Sequence, residues 1–221
     1  AKVYAEKEVQ DYDKVITYAD KVIKTTGVEL EDSYETLWGY DETTKDCLKR
    51  NTKEGILEVH WTTGSGNWET WMYGRQLDNW DYYFTWAKWI TPSRDIINDF
   101  EKEGDEIRKN QAIVYYACTW SNYYPASNYP FMYKLRSSYS NIYWIRLADI
   151  ILMKAEAEAY KGNLDESAKL VNQIRKRAKL KELTSDKTNS KEAMIEAVLH
   201  ERRLELAFEG ERWFDLCRNN K

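Results

Sequence analysis

The chain has 221 residues, of which 32% are charged, and its net charge at pH 7 is only −4. This balance creates no long-range positive field to hold a phosphate backbone, which excludes nucleic acid as a partner. No run approaches the roughly 20 apolar residues of a membrane-spanning helix, so we expect any anchor to lie outside this sequence. The length permits one or two domains, and we expect a single domain over residues 1–221.

Cysteine and histidine are sparse. Cys47, Cys118 and Cys217 lack the short paired spacing of a zinc site or a redox dithiol. His60 and His200 have no serine, cysteine or second histidine at a spacing typical of a catalytic triad or metal motif. We therefore expect no metal, no cofactor and no nucleophilic catalysis.

The first predicted element is an amphipathic helix. Between Tyr12 and Ile23, apolar residues recur at three-and-four spacing, which puts them on one face, and Gly27 can end the helix. The preceding residues predict the end of a partner helix with a break near Gln10. Residues 1–27 are therefore interpreted as a repeat-type helix.

Aromatic residues are concentrated in the segment 55–141. Alternating side chains predict a short strand over 56–61, and residues 113–118 predict another. The asparagine, serine, proline and tyrosine content of 121–141 predicts an irregular but ordered excursion.

A helix is predicted inside this segment. Thr91 and Pro92 suit its N-cap and first turn, and Gly104 suits its end. Its inward side chains are expected to be Ile96, Ile97 and Phe100.

The C-terminal part is predicted to be helical from Tyr143 onward. A helix hairpin is expected over 143–180, with its turn at Gly162. Its length is similar to that of a tetratricopeptide repeat, which is about 34 residues. After a polar linker, Ser190 can cap a last helix over 190–221.

This last helix carries AFEGERWFDL at 207–216, directly after ERRLEL at 201–206. A second block lies upstream, with IRLAD at 145–149, LMKAEA at 152–157 and NQIR at 172–175. In this order, the two blocks resemble the C-terminal signature of the SusD/RagB family of nutrient-binding outer-membrane lipoproteins. A weaker similarity is the pair Asp105 and Arg108, which resembles an aspartate–arginine pair of the family.

The resemblance implies a mostly α fold, in which a tetratricopeptide-like helical repeat scaffold carries an irregular aromatic-rich segment and a few short strands. It also implies a surface-exposed lipoprotein of the cell outer membrane, with its lipid anchor outside the given sequence. Such proteins bind an oligosaccharide or other nutrient and deliver it to a SusC-like TonB-dependent transporter. They are not enzymes.

Glycan binding requires flat apolar faces, because the C–H faces of a pyranose desolvate well against aromatic rings while its hydroxyls need polar partners. The loop between Gly64 and Trp89 offers this mixture. The predicted ligand-binding residues are Asn67, Trp68, Trp71, Tyr73, Arg75, Trp80 and Tyr82. The alternative for each ring is burial beneath a long loop.

Other aromatic residues have less specific surroundings. Trp86 and Trp89 are assigned to packing. A further group is either a second binding wall, a transporter contact or a self-packed loop, and it comprises Trp120, Tyr123, Tyr124 and Tyr129.

Two rival functions remain open. Glu201 and Glu205, one helical turn apart, would suit the acid and base of a glycoside hydrolase, in which such groups lie roughly 5–9.5 Å apart. They share a stripe with Leu204, however, so we expect them to pair with arginines such as Arg146 or Arg175. The other rival is a helical-repeat scaffold that binds a protein partner without binding a glycan.

Overall fold

The structure is a computed structural model, and it describes residues 1–41, 43–44, 46–61, 90–117, 122–136 and 140–221. The chain divides into two compact units. Unit 1 comprises Ala1–Asp32, Lys53–Leu57 and Tyr143–Lys221, and unit 2 comprises Ser33–Thr52 and Glu58–Ile142. No helix in the described part of the chain has the length and apolar character needed to cross a membrane. The expectation of one domain over residues 1–221 stays a prediction.

Helices dominate the described residues, and the strands are short. The helices are α1 (Lys2–Ala5), α2 (Tyr12–Ile23), α3 (Glu35–Trp38), α4 (Arg94–Glu103), α5 (Glu106–Ala112), α6 (Leu147–Lys161), α7 (Leu164–Arg177), α8 (Ser185–Thr188), α9 (Lys191–Glu205) and α10 (Arg212–Arg218), with a 3-10 turn at Lys7–Val9. The strands are β1 (Tyr40–Asp41), β2 (Asp46–Cys47), β3 (Gly55–Val59), β4 (Ile113–Tyr116), β5 (Tyr129–Met132) and β6 (Ile142–Arg146).

Unit 1 is built around α6, which packs against α2, α7 and α9. Small residues such as Ala148, Ala155 and Ala159 are completely buried along α6 and allow close approach of the neighbouring helices. Gly162 adopts a left-handed backbone conformation, with φ +84°, between α6 and α7. The predicted hairpin turn at this glycine is confirmed, because glycine adopts positive φ without steric cost.

The hairpin begins later than predicted. Residues 142–146 form β6, which pairs with β3, and the helix starts only at Leu147. The run Ile142-Tyr143-Trp144-Ile145 explains the difference, because aromatic and β-branched side chains favour a strand.

The last predicted helix is also divided. Ser190 caps α9 as predicted, since its Oγ accepts a hydrogen bond from the Ala193 amide at 3.2 Å. Phe208 and Gly210 then take positive φ values of 65° and 84°. A left-handed residue ends an α-helix, so α10 is a separate element, and Phe208 lies beyond the end of α9.

Unit 2 contains α4 and the antiparallel pair β4–β5. The cap of α4 is Ser93, whose Oγ accepts from the Ile96 amide at 3.4 Å, so the prediction that Thr91 caps this helix is wrong. The Thr91 hydroxyl donates instead to the Pro130 carbonyl at 2.8 Å. The predicted end at Gly104, with φ +68°, is confirmed.

Strand β5 lies where an irregular excursion was predicted. Tyr116 pairs with Tyr129 and Ile113 with Met132. Pro130 argued against a strand in the sequence, but a proline is tolerated at an edge, and both members of a two-stranded pair are edges.

Strand β3 is shorter than predicted and buries a different side chain. It ends at Val59, and Ile56 and Leu57 are both exposed. The side chain of Glu58 is the buried one, and its carboxylate accepts hydrogen bonds from the Asn51 amide at 3.1 Å and the Thr52 amide at 3.0 Å. The predicted alternation therefore does not mark an apolar face.

Candidate ligand-binding site

The predicted binding residues lie outside the described residues. This holds for Asn67, Trp68, Trp71, Tyr73, Arg75, Trp80 and Tyr82. Trp86, Trp89 and Trp120 also lie outside them. Their assignment stays a prediction, and other aromatic residues, in the described part of unit 2, form a candidate site.

Unit 2 contains a chain of contacting rings, here named the tyrosine cluster: Tyr123, Tyr124, Tyr129 and Phe131. Tyr123 and Tyr124 meet edge to face with centroids 4.9 Å apart, and Tyr124 and Tyr129 do so at 5.5 Å. Tyr129 and Phe131 are 5.3 Å apart and tilted. Such geometries are the favoured ones for aromatic pairs, because ring edges are positive and ring faces are negative.

The cluster runs from the core to the surface. Tyr129 and Phe131, both on β5, are buried, whereas Tyr123 is 49% exposed. The sequence left two roles open for these residues, packing within the loop and forming a binding surface, and each role applies to different rings. The inner rings pack, and the outer ring presents aromatic surface to solvent.

Arg94, the first residue of α4, stacks on this outer part. Its guanidinium carbon lies 4.1 Å from the Tyr123 ring centroid and 4.8 Å from that of Tyr124. The same group donates a hydrogen bond to the Tyr123 carbonyl. Cation–π contacts of this kind hold a guanidinium in a fixed position while it remains accessible.

Hydrogen bonds attach the cluster to the start of α4. The Tyr124 hydroxyl donates to the Pro92 carbonyl at 2.6 Å, and the Thr91 hydroxyl donates to the Pro130 carbonyl at 2.8 Å. Burial raises the pKa of Tyr124 above its ordinary value of 10.0, so its phenol, which is protonated at neutral pH in any case, stays a hydrogen-bond donor at a higher pH too. The exposed rings are thus supported by fixed contacts.

The acidic pair proposed for a hydrolase has a different environment in unit 1. Glu201 accepts from Arg175 at 3.0 Å, and Glu205 accepts from Arg146 at 2.6 Å. Both glutamates are 0% exposed. The predicted pairing with Arg175 and Arg146 is confirmed. A general acid or base must reach its substrate, and these carboxylates do not reach the surface.

Arg146 is the centre of a larger buried network. It donates to Glu54 at 2.7 Å and to Glu209 at 2.7 Å, and Arg177 also bonds Glu54 and Glu205. Burial alone would lower the pKa of Arg146, but the neighbouring carboxylates of Glu209 and Glu205 raise it well above its ordinary value. The guanidinium is therefore a permanent charge that binds β6 to residues near the C-terminus.

Arg202 is the centre of a second network, which the sequence analysis missed. It bonds Asp149 and Asp215, each at 2.9 Å. Burial alone would raise the pKa of Asp149, but the charges of Arg202 and Lys2 outweigh it, so the pKa lies below its ordinary value. Asp149, Arg202 and Asp215 all lie within the two signature blocks, which is the signal that could have found them.

Asp105 and Arg108 are a structural pair. Asp105 caps α5 by accepting from the Arg108 amide at 3.2 Å, and the two buried side chains also bond each other. Within the described ranges, no group of three or more histidine, cysteine or acidic side chains could hold a metal ion. Cys217 is an exposed free thiol.

Residues 115–221 match the family model of the SusD family. SusD-like protein P38 of Formosa agariphila is 43% identical over 88 residues, which are 37% of this chain and 18% of that protein. A SusD superfamily protein from Bacteroides vulgatus has a similar structure, with a TM-score of 0.72 and 24% identity over 99% of this chain and 50% of its own. A SusD-like carbohydrate binding protein from Bacteroides vulgatus also has a similar structure, with a TM-score of 0.71 and 19% identity. The match covers 96% of this chain and 42% of that protein.

These similarities confirm the predicted fold class, a mostly helical tetratricopeptide-like scaffold with a few short strands. The chain spans about half the length of the solved relatives, and its match spans 18% of the curated relative. The tyrosine cluster lies within the family-matched residues 115–221, and Arg94 lies outside them.

Proposed function

We propose, from the match of residues 115–221 to the family model of the SusD family, that this chain binds an oligosaccharide at the cell surface for TonB-dependent uptake. The family match carries the proposal. A solved relative described as a SusD-like carbohydrate binding protein supports it. The partner that receives the glycan would be a SusC-like TonB-dependent transporter, and the chain would belong to a lipoprotein of the outer membrane.

The tyrosine cluster supplies a physical basis for glycan binding. The exposed ring of Tyr123 is a flat apolar surface of the kind that the C–H face of a pyranose contacts favourably. The polar groups that a sugar hydroxyl needs are adjacent, in the guanidinium of Arg94. The predicted loop residues Trp68, Trp71 and Trp80 would add further ring faces.

We propose a binding protein and not an enzyme. The buried positions of Glu201 and Glu205 support this, since each carboxylate is held by arginine and has no exposed surface. A reducing-sugar assay on glycans that bind should show no hydrolysis. Product release by the chain would contradict this part of the proposal.

Isothermal titration against a glycan panel tests the function. Each of the variants Tyr123→Ala, Trp68→Ala, Trp71→Ala and Trp80→Ala should weaken binding of a positive glycan by roughly tenfold if its ring stacks on the sugar. Trp213→Ala is the matched control, because Trp213 is a 70% exposed ring in unit 1. Undiminished affinity in all four variants would remove the site assignment, and an absence of binding across the panel would contradict the function.

One observation favours the protein-interaction alternative. Trp213 and Phe214 on α10 are adjacent and exposed, at 70% and 54%. Exposed aromatic pairs are enriched at protein interfaces. If Trp213→Ala abolished co-purification with a SusC-like transporter while leaving glycan affinity intact, both functions would belong to one chain through different surfaces.

A further inference from the structure

Arg94 differs from the arginines of unit 1 in its partners. Its side chain is exposed and is held by two tyrosine rings and one backbone carbonyl. Among the residues that the structure describes, no carboxylate forms an ion pair with it. A guanidinium has five N–H donors, and the single hydrogen bond to Tyr123 leaves most of them directed away from that carbonyl.

The position is unfavourable for the helix itself. Arg94 occupies the first residue of α4, where the helix macrodipole is positive. A cation there costs about 0.3–1 kcal/mol relative to a neutral residue. Asp95 in the same turn suits the dipole, but no ion pair joins it to Arg94. A charge that opposes the helix dipole and gains no ion pair within the helix is typical of a functional position.

We propose that Arg94 and Tyr123 form a subsite for an acidic sugar, a pyranose that carries a carboxylate or sulfate group. This inference rests on the proposed glycan binding and specifies its substrate class. The planar guanidinium matches a carboxylate in a two-bond arrangement, and the half-exposed Tyr123 ring adjoins it to receive the sugar. The Arg94 guanidinium would contact the anionic group of a sugar residue, and the Tyr123 ring would contact the pyranose ring of the same residue.

Paired probes test the charge requirement. Isothermal titration would compare galacturonic acid oligosaccharides with the same oligosaccharides methyl-esterified at their carboxylates, and sulfated galactose oligosaccharides with their desulfated forms. In at least one pair, the charged member should bind the chain more tightly. Raising the salt concentration should reduce that preference, because salt screens exposed charges. The pair that responds identifies the anionic group.

Arg94→Gln then assigns the preference to this side chain. It should weaken the charged member by roughly fivefold, equivalent to about 1 kcal/mol at 25 °C. The neutral member should be weakened less, because the glutamine amide still donates a hydrogen bond to a sugar hydroxyl. Lys102→Gln is the matched control, since it removes one positive charge from an exposed position of the same helix. Tyr123→Ala should weaken both members of the pair, because the ring contacts the sugar whether or not it is charged.

The outcomes separate the two proposals. If neutral glycans bind as tightly as charged ones, or if Lys102→Gln has the same effect as Arg94→Gln, the acidic subsite is wrong while glycan binding stands. If none of the probes and no neutral glycan binds, both proposals fail. Thermal unfolding of each variant, followed by circular dichroism, separates a lost contact from a lost fold.

Discussion

Unit 1 and the tyrosine cluster of unit 2 use arginine in opposite ways. In unit 1, Arg146 and Arg202 are fully enclosed and each bonds several carboxylates. In the cluster, Arg94 lies on ring faces and is open to solvent. Removing one partner of a buried pair leaves a charge that water cannot reach, whereas an exposed guanidinium keeps its hydration.

This contrast distinguishes structural arginines from those available for recognition in this chain. A tract rich in glutamate and arginine, such as residues 201–216, resembles a reactive site in the sequence. Its buried charges are paired inside unit 1, mostly with residues outside the tract, as Glu205 is with Arg146 and Arg202 with Asp149. Arg94 has no carboxylate partner among the described residues and lies beside an exposed ring, so it is the better candidate for contact with a ligand.

Glu205→Ala should have the largest effect on stability. It takes a carboxylate from both Arg146 and Arg177, so the free energy of unfolding should fall by about 3–5 kcal/mol. Glu192→Ala, at an exposed position of the same helix, should change it by less than about 1 kcal/mol. Urea unfolding measures both. Equal losses would mean that the buried network is no more important than the helix surface.

Acid should weaken the second network. The pKa of Asp149 lies below its ordinary value of 3.8. The charged carboxylate therefore makes its full contribution to the free energy of unfolding above about pH 3.8, and this contribution is lost as the pH falls through the lower pKa of the folded state. The loss is about 1.4 kcal/mol for each unit of pKa difference.

Urea unfolding between pH 7 and about pH 2 measures this loss. The stability gap between the parent chain and Asp149→Asn should be large at neutral pH and shrink towards acid. Asp165→Asn, an exposed position on α7, is the control and should show no such trend. A constant gap for Asp149→Asn would contradict the proposed charge pairing.

The two units should respond alike where a residue has the same local role. Ser190 in unit 1 and Ser93 in unit 2 both accept a hydrogen bond from the third amide of a helix. Replacing either with alanine should cost about 1 kcal/mol. Ser185→Ala, an exposed residue on α8, provides the control, and thermal unfolding gives the comparison. A much larger loss at one cap would show that this serine has a further role.

Arg94→Gln should have the smallest effect on stability. The lost cation–π contact costs about 0.5–1 kcal/mol, and relief of the unfavourable charge at the start of α4 returns about 0.3–1 kcal/mol. The net change in the free energy of unfolding should lie within about 0.5 kcal/mol of zero. A loss comparable to that of Glu205→Ala would place Arg94 among the structural arginines and remove the contrast between the regions.

The sequence predicted elements whose signals are local. The α2 helix, the turn at Gly162 and the cap at Ser190 each follow from neighbouring residues. Strand β5 was missed because Pro130 conceals it. The start of α6 was misplaced because a strand and a helix meet within one apolar run.

Long-range partners could not be predicted from spacing. Glu54 and Arg146 meet although they are far apart in the chain, and so do Arg94 and Tyr123. The pairing of Glu201 and Glu205 with arginine was predictable, because a buried charge requires a partner. The loop residues predicted for glycan binding, from Asn67 to Tyr82, remain a prediction.

Arg146 has a consequence for biosynthesis. Its carboxylate partners are Glu54, made earlier, and Glu205 and Glu209, made about sixty residues later. While a nascent chain lacks that later stretch, enclosing this guanidinium would leave its charge largely uncompensated. Unit 1 should therefore consolidate only after residues 205–209 have emerged from the ribosome, and a chain stalled before them should remain sensitive to protease.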